Sequence, residues 1–214
     1  PPDRALLETE LEQNGYPPHW LPVLEAWIAR VLHTPLNRDG LTLGALQNQD
    51  RLVEMAFYLP LERMLNASEL DALMRQHDAL SARAPKLEFQ QVQGMLKGFI
   101  DLVFRWNGQY YLLDYKSNWL GESEAAYTPQ AMAQAMVDHR YDLQYQLYTL
   151  ALHRYLQHRL PDYDYQRHFG GVFYLFLRGV DGSSPQNGIF TARPSASFVA
   201  GLDALFRRPK EEEV

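Results

Sequence analysis

The sequence contains no cysteine. That absence excludes disulfides, thiolate zinc sites and a cysteine nucleophile, and it fits a cytoplasmic protein. Long hydrophobic runs are also missing. The longest, Val172-Phe173-Tyr174-Leu175-Phe176-Leu177, has strand length and stops at Arg178, well short of the roughly 20 apolar residues a membrane span needs. The opening Pro1-Pro2-Asp3-Arg4 lacks the basic-then-apolar pattern of a secretory leader and is expected to lie inside a longer protein. Basic residues are outnumbered, 20 Lys and Arg against 26 Asp and Glu, for a net charge of −6. This argues against a free-standing nucleic-acid binder, which normally presents a basic face. It leaves room for a catalytic domain whose substrate is delivered by a larger assembly.

What is present is ordinary globular material: 214 residues, 46% hydrophobic and 21% charged, enough for one substantial core. There is no internal repeat or low-complexity stretch, and Lys210-Glu211-Glu212-Glu213-Val214 reads as a solvated tail. Apolar positions at helical spacing predict helices over residues 3–13 and 19–33, with Pro17-Pro18 just before the second. Residues 52–59 read as a strand ended by Pro60, and Asn66-Ala67-Ser68-Glu69 starts a helix to about Ala79. Residues 97–105 and 109–116 read as strands around Asn107-Gly108, a strong hairpin signal. Helices follow at about 128–138 and 141–159, a buried strand at 171–177, a possible partner at 188–192 and a last helix at about 195–206. This order predicts an α/β fold with a mixed sheet rather than regular βαβ alternation.

The hairpin register carries the functional reading. With Asn107 and Gly108 as the loop, Trp106 faces Gln109, and stepping outward brings Asp101 opposite Asp114 at a non-hydrogen-bonded position. Their Cβ atoms are then expected about 4.5–5.5 Å apart, where like charges repel. Strand alternation puts Lys116 on the face of Asp114, together with Phe99, Val103 and Leu112. The other face would carry Ile100, Leu102, Phe104, Tyr111, Leu113 and Tyr115 as core. An ordinary salt-bridged surface hairpin is one explanation. Against it, Leu112-Leu113 implies that both faces are covered, Asp101 sits among apolar neighbours where an unpartnered charge is expensive, and the acids bracket a place for a hard, oxygen-loving cation.

Gly98-Phe99-Ile100-Asp101-Leu102, followed by Leu113-Asp114-Tyr115-Lys116-Ser117-Asn118, resembles the core of the PD-(D/E)xK nucleases. The segments from Asp114 to Gly121, Tyr141 to Leu150 and Gly170 to Gly179 are similar, in order, to the C-terminal nuclease domains of the RecB-like group, and the likeness runs from about Leu52 to Arg193. The resemblance implies a restriction-endonuclease-like core with a mixed central sheet, a catalytic hairpin and flanking helices. Residues 1–214 would form a single nuclease domain of a larger protein: a helical part to about residue 45, a core at about 50–195, and a helix and tail at about 195–214. It implies Asp101, Asp114 and the Tyr115 carbonyl as metal ligands, Glu54 as the acidic position on the preceding strand, and Lys116 as the group that orients water or stabilises the phosphate. Gln144 and Tyr148 match a Q-x-x-x-Y signature whose spacing places both on one helical face. The group usually carries a metal-liganding histidine upstream; neither His19 nor His33 has matching surroundings, so that ligand is expected before Pro1.

The resemblance further implies Mg²⁺ as cofactor, one or two ions, with Ca²⁺ able to occupy the site without supporting cleavage. It implies DNA unwound by a helicase as substrate, in double-strand-break repair and recombination, and RecC, RecD and RecA as partners. Other readings remain open at this point: a non-catalytic module that guides DNA or docks a protein, or a hydrolase of another phosphate ester. Taken alone, Glu54 reads as a surface acid, and Gln144 and Tyr148 read as structural. His139, His153, His158 and His168 lack metal-site spacing and read as surface residues. Trp119, Tyr127 and Arg140 are candidates to line a DNA channel.

Overall fold

The computed structural model describes residues 3–184 and 186–207; the tail expected from Lys210 lies outside the described residues, as does the Pro1-Pro2 opening. Two helices, α1 (Arg4–Gln13) and α2 (Leu21–His33), lead into a long strand β1 (Arg51–Leu65). Helices α3 (Ala67–His77) and α4 (Ala79–Arg83) precede the hairpin of β2 (Val92–Trp106) and β3 (Gln109–Lys116). Helices α5 (Pro129–Asp138), α6 (Tyr141–Arg159) and α7 (Tyr165–His168) cross to β4 (Phe169–Phe176), followed by β5 (Ile189–Ala192) and α8 (Ala196–Phe206).

The strands form one sheet in chain order, antiparallel throughout except for the parallel β3–β4 pair. This is the expected α/β fold with a mixed sheet. Strand β4 is flanked on both sides and nearly continuously buried, so its unbroken apolar run is what a covered strand requires. One core layer joins β1, β2 and β4 to α3, α5, α6 and α8, through residues such as Leu59, Ile100, Leu112, Met136 and Phe198. A second layer covers the other sheet face, with Val31, Leu36, Leu41 and Leu43 packed on Leu102, Phe104, Tyr111 and Leu113. Leu112 and Leu113 are therefore both sealed, one on each side.

The hairpin register is as expected, from Trp106–Gln109 to Leu102–Leu113. Asn107 and Gly108 both have positive φ, the requirement of the tight turn that matches strand twist. Other expectations need correction. Pro60 does not end β1, which continues to Leu65 with Pro60 opposite Met95. Strand β1 is the sheet edge, where a missing N–H costs the ladder nothing. Strand β2 likewise begins at Val92 rather than near residue 97.

The two-face assignment fails beyond Asp101. Glu54, aligned with Asp101, adopts φ 51 and drops out of the β1–β2 ladder, while pairing resumes at Met55–Ile100. On both strands the inward-facing set changes across this point, from Leu102 on the second-layer side to Met55 and Ile100 on the α6 side. Ile100 therefore joins the core layer of Val103 and Leu112, and Phe99 faces solvent. Tyr115, expected in the core, is exposed: Leu113 is the last β3 residue in the second layer, which continues on β4 at Leu175.

His153 on α6 is half-buried rather than at the surface, with Nδ1 3.0 Å from the Tyr163 hydroxyl. Burial lowers its pKa below 6.5 by more than the nearby Asp203 raises it. The unfolded imidazole gains its proton near pH 6.5, so the unfolded state binds more protons below that point. The stability His153 supports is full above about pH 6.5 and is lost as pH falls toward the folded pKa. The melting temperature is expected to fall on acidification, less steeply in a His153→Asn variant. Equal slopes in a calorimetric pH series would show that His153 plays no part.

Candidate active site

The alternation of β3 places Asp114 and Lys116 on the α6 side of the sheet. Asp114 is only 4% exposed and forms an ion pair with the Lys116 ammonium. Its Oδ1 touches that ammonium but accepts no well-formed hydrogen bond. Burial raises the Asp114 pKa; contact with Lys116 opposes the shift and the Asp101 charge adds to it.

Asp101 approaches from β2, where the ladder to β3 has just ended at Leu102–Leu113. Its Oδ2 accepts the Tyr115 N–H at 2.9 Å. The two acids thus lie across from each other as the register predicts, but a side-chain-to-backbone bond replaces strand pairing at this point. This holds the Tyr115 backbone between them.

Lys116 is enclosed from α6 and β4. Its Nζ donates to Gln144 Oε1 at 2.9 Å, and the same oxygen accepts the Tyr174 hydroxyl at 2.9 Å. Lysine can only donate, so this contact fixes the amide orientation and turns Gln144 Nε2 toward the Tyr148 hydroxyl, 2.9 Å away. The ammonium also lies 4.0 Å from the centre of the Tyr141 ring and 5.0 Å from that of Tyr174, within range of cation–π attraction. Burial, helped by the Asp114 charge, pushes the Tyr148 pKa up to about 12. Tyr148 therefore keeps its proton near neutrality and is available as a hydrogen-bond donor, not as a base.

The structure gathers Asp101, Asp114, Lys116, Gln144, Tyr148 and the Tyr115 backbone in one place. Glu54 is exposed on the edge strand at the level of Asp101. Among the described residues no three His, Asp or Glu side chains converge as an ion cage, so Glu54 is not drawn in with the two acids. The chemistry of the donors still fits a hard divalent cation. Mg²⁺ is commonly bound by one or two carboxylates, with water and substrate phosphate completing the shell, and Asp114 presents a buried oxygen short of hydrogen bonds.

Two of the three candidate channel residues are scaffold instead. Tyr127 is fully buried, its hydroxyl donating to Asn118 O and accepting the Leu120 N–H, so it braces the loop after β3. Arg140 grips the buried Asp142 through Nε and Nη2 and donates Nη1 to Pro85 O. Trp119 is exposed, with the Arg178 guanidinium 5.8 Å from its ring. The sequence reading passed over Tyr141 and Tyr174. Tyr141 stands three residues before Gln144 and shares its helix face, a signal that was present. Tyr174 reaches Lys116 only through the parallel pairing of β4 with β3, which no local pattern announces.

Residues 21–208 match the PD-(D/E)XK nuclease superfamily. The chain is 61% identical over 213 residues to the RecBCD enzyme subunit RecB of Escherichia coli K12, a match covering 100% of this chain and 18% of that protein. The RecB subunit of Haemophilus influenzae is 48% identical over 184 residues, 86% of the chain and 15% of the relative. That of Mycolicibacterium smegmatis is 34% identical over 236 residues, covering 94% and 22%. The chain spans less than a quarter of the length of these relatives.

The site geometry makes Gln144 its hub. Replacing Gln144 with Leu strands the fully buried Tyr174 hydroxyl and removes an acceptor from Lys116, so stability is expected to fall by about 1–3 kcal/mol. Urea denaturation measures this. A loss below about 0.5 kcal/mol would mean that the amide is not what satisfies these groups.

Proposed function

The chain belongs to the PD-(D/E)XK nuclease superfamily, and from that premise we propose that it hydrolyses DNA phosphodiester bonds with Mg²⁺ at Asp101, Asp114 and Lys116. One observation carries the assignment: Asp114 is a carboxylate whose burial raises its pKa, in direct contact with a caged lysine and beside a second acid. Asp101, Asp114 and the Tyr115 carbonyl would hold the cation, with Glu54 joining through water from the edge strand. When bound, the cation supplies charge to polarise the phosphate and to acidify water.

The chain's own groups do the remaining work. The Lys116 ammonium, fixed by Gln144 and the two rings, holds the attacking water or stabilises the charge that develops on the phosphate. Gln144 sets the lysine's position and donates Nε2–H to the Tyr148 hydroxyl, whose own proton stays available for a further hydrogen bond. Water oxygen bonds to phosphorus and releases a proton to solvent, the ester bond to the leaving oxygen breaks, and that oxygen takes up a proton from solvent. No covalent enzyme intermediate is required.

We further propose that residues 1–214 act as one nuclease domain at the C-terminal end of a longer RecB-like protein. It would work in the cytoplasm on strands unwound by a helicase, in double-strand-break repair and recombination. RecC, RecD and RecA would be its partners. The net charge of −6 favours a non-catalytic docking module instead, but a docking surface has no use for a buried acid beside a second acid and a caged lysine. Among the described residues no helix is long and apolar enough to cross a membrane.

Linear single-stranded DNA is expected to be cut in Mg²⁺ and left intact when the metal is chelated. Asp114→Asn, which keeps side-chain shape, is expected to lower the rate by roughly 10²–10³-fold or more with circular dichroism unchanged. A folded Asp114→Asn variant that cleaves at the wild-type rate would sink the assignment.

A further inference from the structure

Large aromatic side chains gather unburied beside this site. Past the kink at Glu54, Met55, Phe57 and Ile100 enter the core while Ala56, Tyr58, Lys97 and Phe99 face solvent. Ala56 pairs with Phe99 and Tyr58 with Lys97, so Tyr58 and Phe99 are diagonal neighbours on one open sheet face. Tyr58 is 65% exposed and Phe99 63%. Tyr115 adds a third ring from β3, on the sheet side opposite Asp114 and Lys116, and it is 38% exposed. The second core layer covers this side at Leu102 and Phe104 of β2, Tyr111 and Leu113 of β3 and Phe173 and Leu175 of β4, and it includes neither Phe99 nor Tyr115. Lys97 stands opposite Tyr58, and Arg51 lies within electrostatic reach of Tyr115. Neither cation takes part in a salt bridge among the described residues.

We propose that Tyr58, Phe99 and Tyr115 form a stacking platform for the bases of an unpaired DNA strand, with Lys97 and Arg51 serving its phosphates. The inference rests on the nuclease reading above and adds the path of the substrate. Exposed flat rings interleaved with cations match an unpaired strand, whose bases are free to stack without regard to sequence. In a duplex those faces are already covered. The platform backs onto the site across one sheet: Phe99 is two residues from Asp101, and Tyr115, between Asp114 and Lys116, points its ring to the opposite side. The β2–β3 ladder ends at Leu102–Leu113, with Asp101 bridging to the Tyr115 N–H just beyond, so a strand on the platform would reach the acids around this end of the hairpin.

Fluorescence anisotropy without divalent cations reads binding apart from cleavage. The probes are labelled oligothymidylate, an abasic strand of the same length and a blunt duplex. Phe99→Ala and Tyr58→Ala are each expected to weaken oligothymidylate binding about tenfold or more. Abasic-strand and duplex binding should stay within about twofold, and Phe99→Tyr should restore the loss. Circular dichroism and melting temperature confirm that the variants fold. Equal weakening of the oligothymidylate and abasic strands overturns the proposal, as does no weakening of either. A change in self-association without a base-dependent loss assigns the face to protein contact and overturns it too. If Asp114→Asn proves irrelevant to cleavage while the base-dependent loss persists, the nuclease reading fails and the platform stands. Intact metal-dependent cleavage without that loss removes only the platform.

Discussion

A carboxylate nearly out of water is the constraint around which this structure is organised. Removing the charge of Asp114 from solvent costs several kcal/mol unless it is compensated, and its raised pKa records that cost. Lys116 compensates from the same strand and face, but its ammonium is then itself half-buried and needs partners. Gln144, Tyr141 and Tyr174 provide them, and they come from α6 and β4. The demand of one acid thus fixes where a helix and a neighbouring strand must lie. The compensation is incomplete, because burial still raises the Asp114 pKa despite the Lys116 contact, and the Asp101 charge adds to that rise.

The second organising feature is the break in the sheet at Glu54 and Asp101. A non-glycine residue in the left-handed region costs on the order of 1–3 kcal/mol and persists only where its surroundings enforce it. Glu54 sits where the inward-facing set of side chains changes over and where Asp101, unpaired with β3, takes the Tyr115 N–H. Gly98 belongs to the same adjustment: a Cβ there would fall 2.8 Å from the Phe57 ring, so glycine lets that ring close over β2. A regular sheet would have placed Phe99 inside and left the two acids simply opposed.

Much of this was legible in the residues. Asn107-Gly108 sets the hairpin, and the alternation around it brings Asp101, Asp114 and Lys116 together. The Gln144–Tyr148 spacing placed both on one helix face, and they do share the Lys116 network. What escaped is what depends on distant chain. Pro60 reads as a terminator unless β1 is known to be an edge. Nothing in a glutamate announces the left-handed conformation of Glu54, so Ile100 and Phe99 were assigned to the wrong sides. Tyr127 and Arg140 look like surface groups until Asn118 and Asp142 are seen to hold them.

The parallel pairing of β3 with β4 has a consequence for how the molecule is made. The β2–β3 hairpin closes through a two-residue turn, an event of microseconds that needs no other part of the chain. Its parallel neighbour arrives only after α5, α6 and α7 have been laid down, and non-local pairings of this kind are slow because loop entropy is lost before contacts repay it. During synthesis the two acids and the lysine therefore meet while still in water. The lysine cage and the dry environment of Asp114 are completed last. A partly made chain carries the reactive residues without the setting that would activate them.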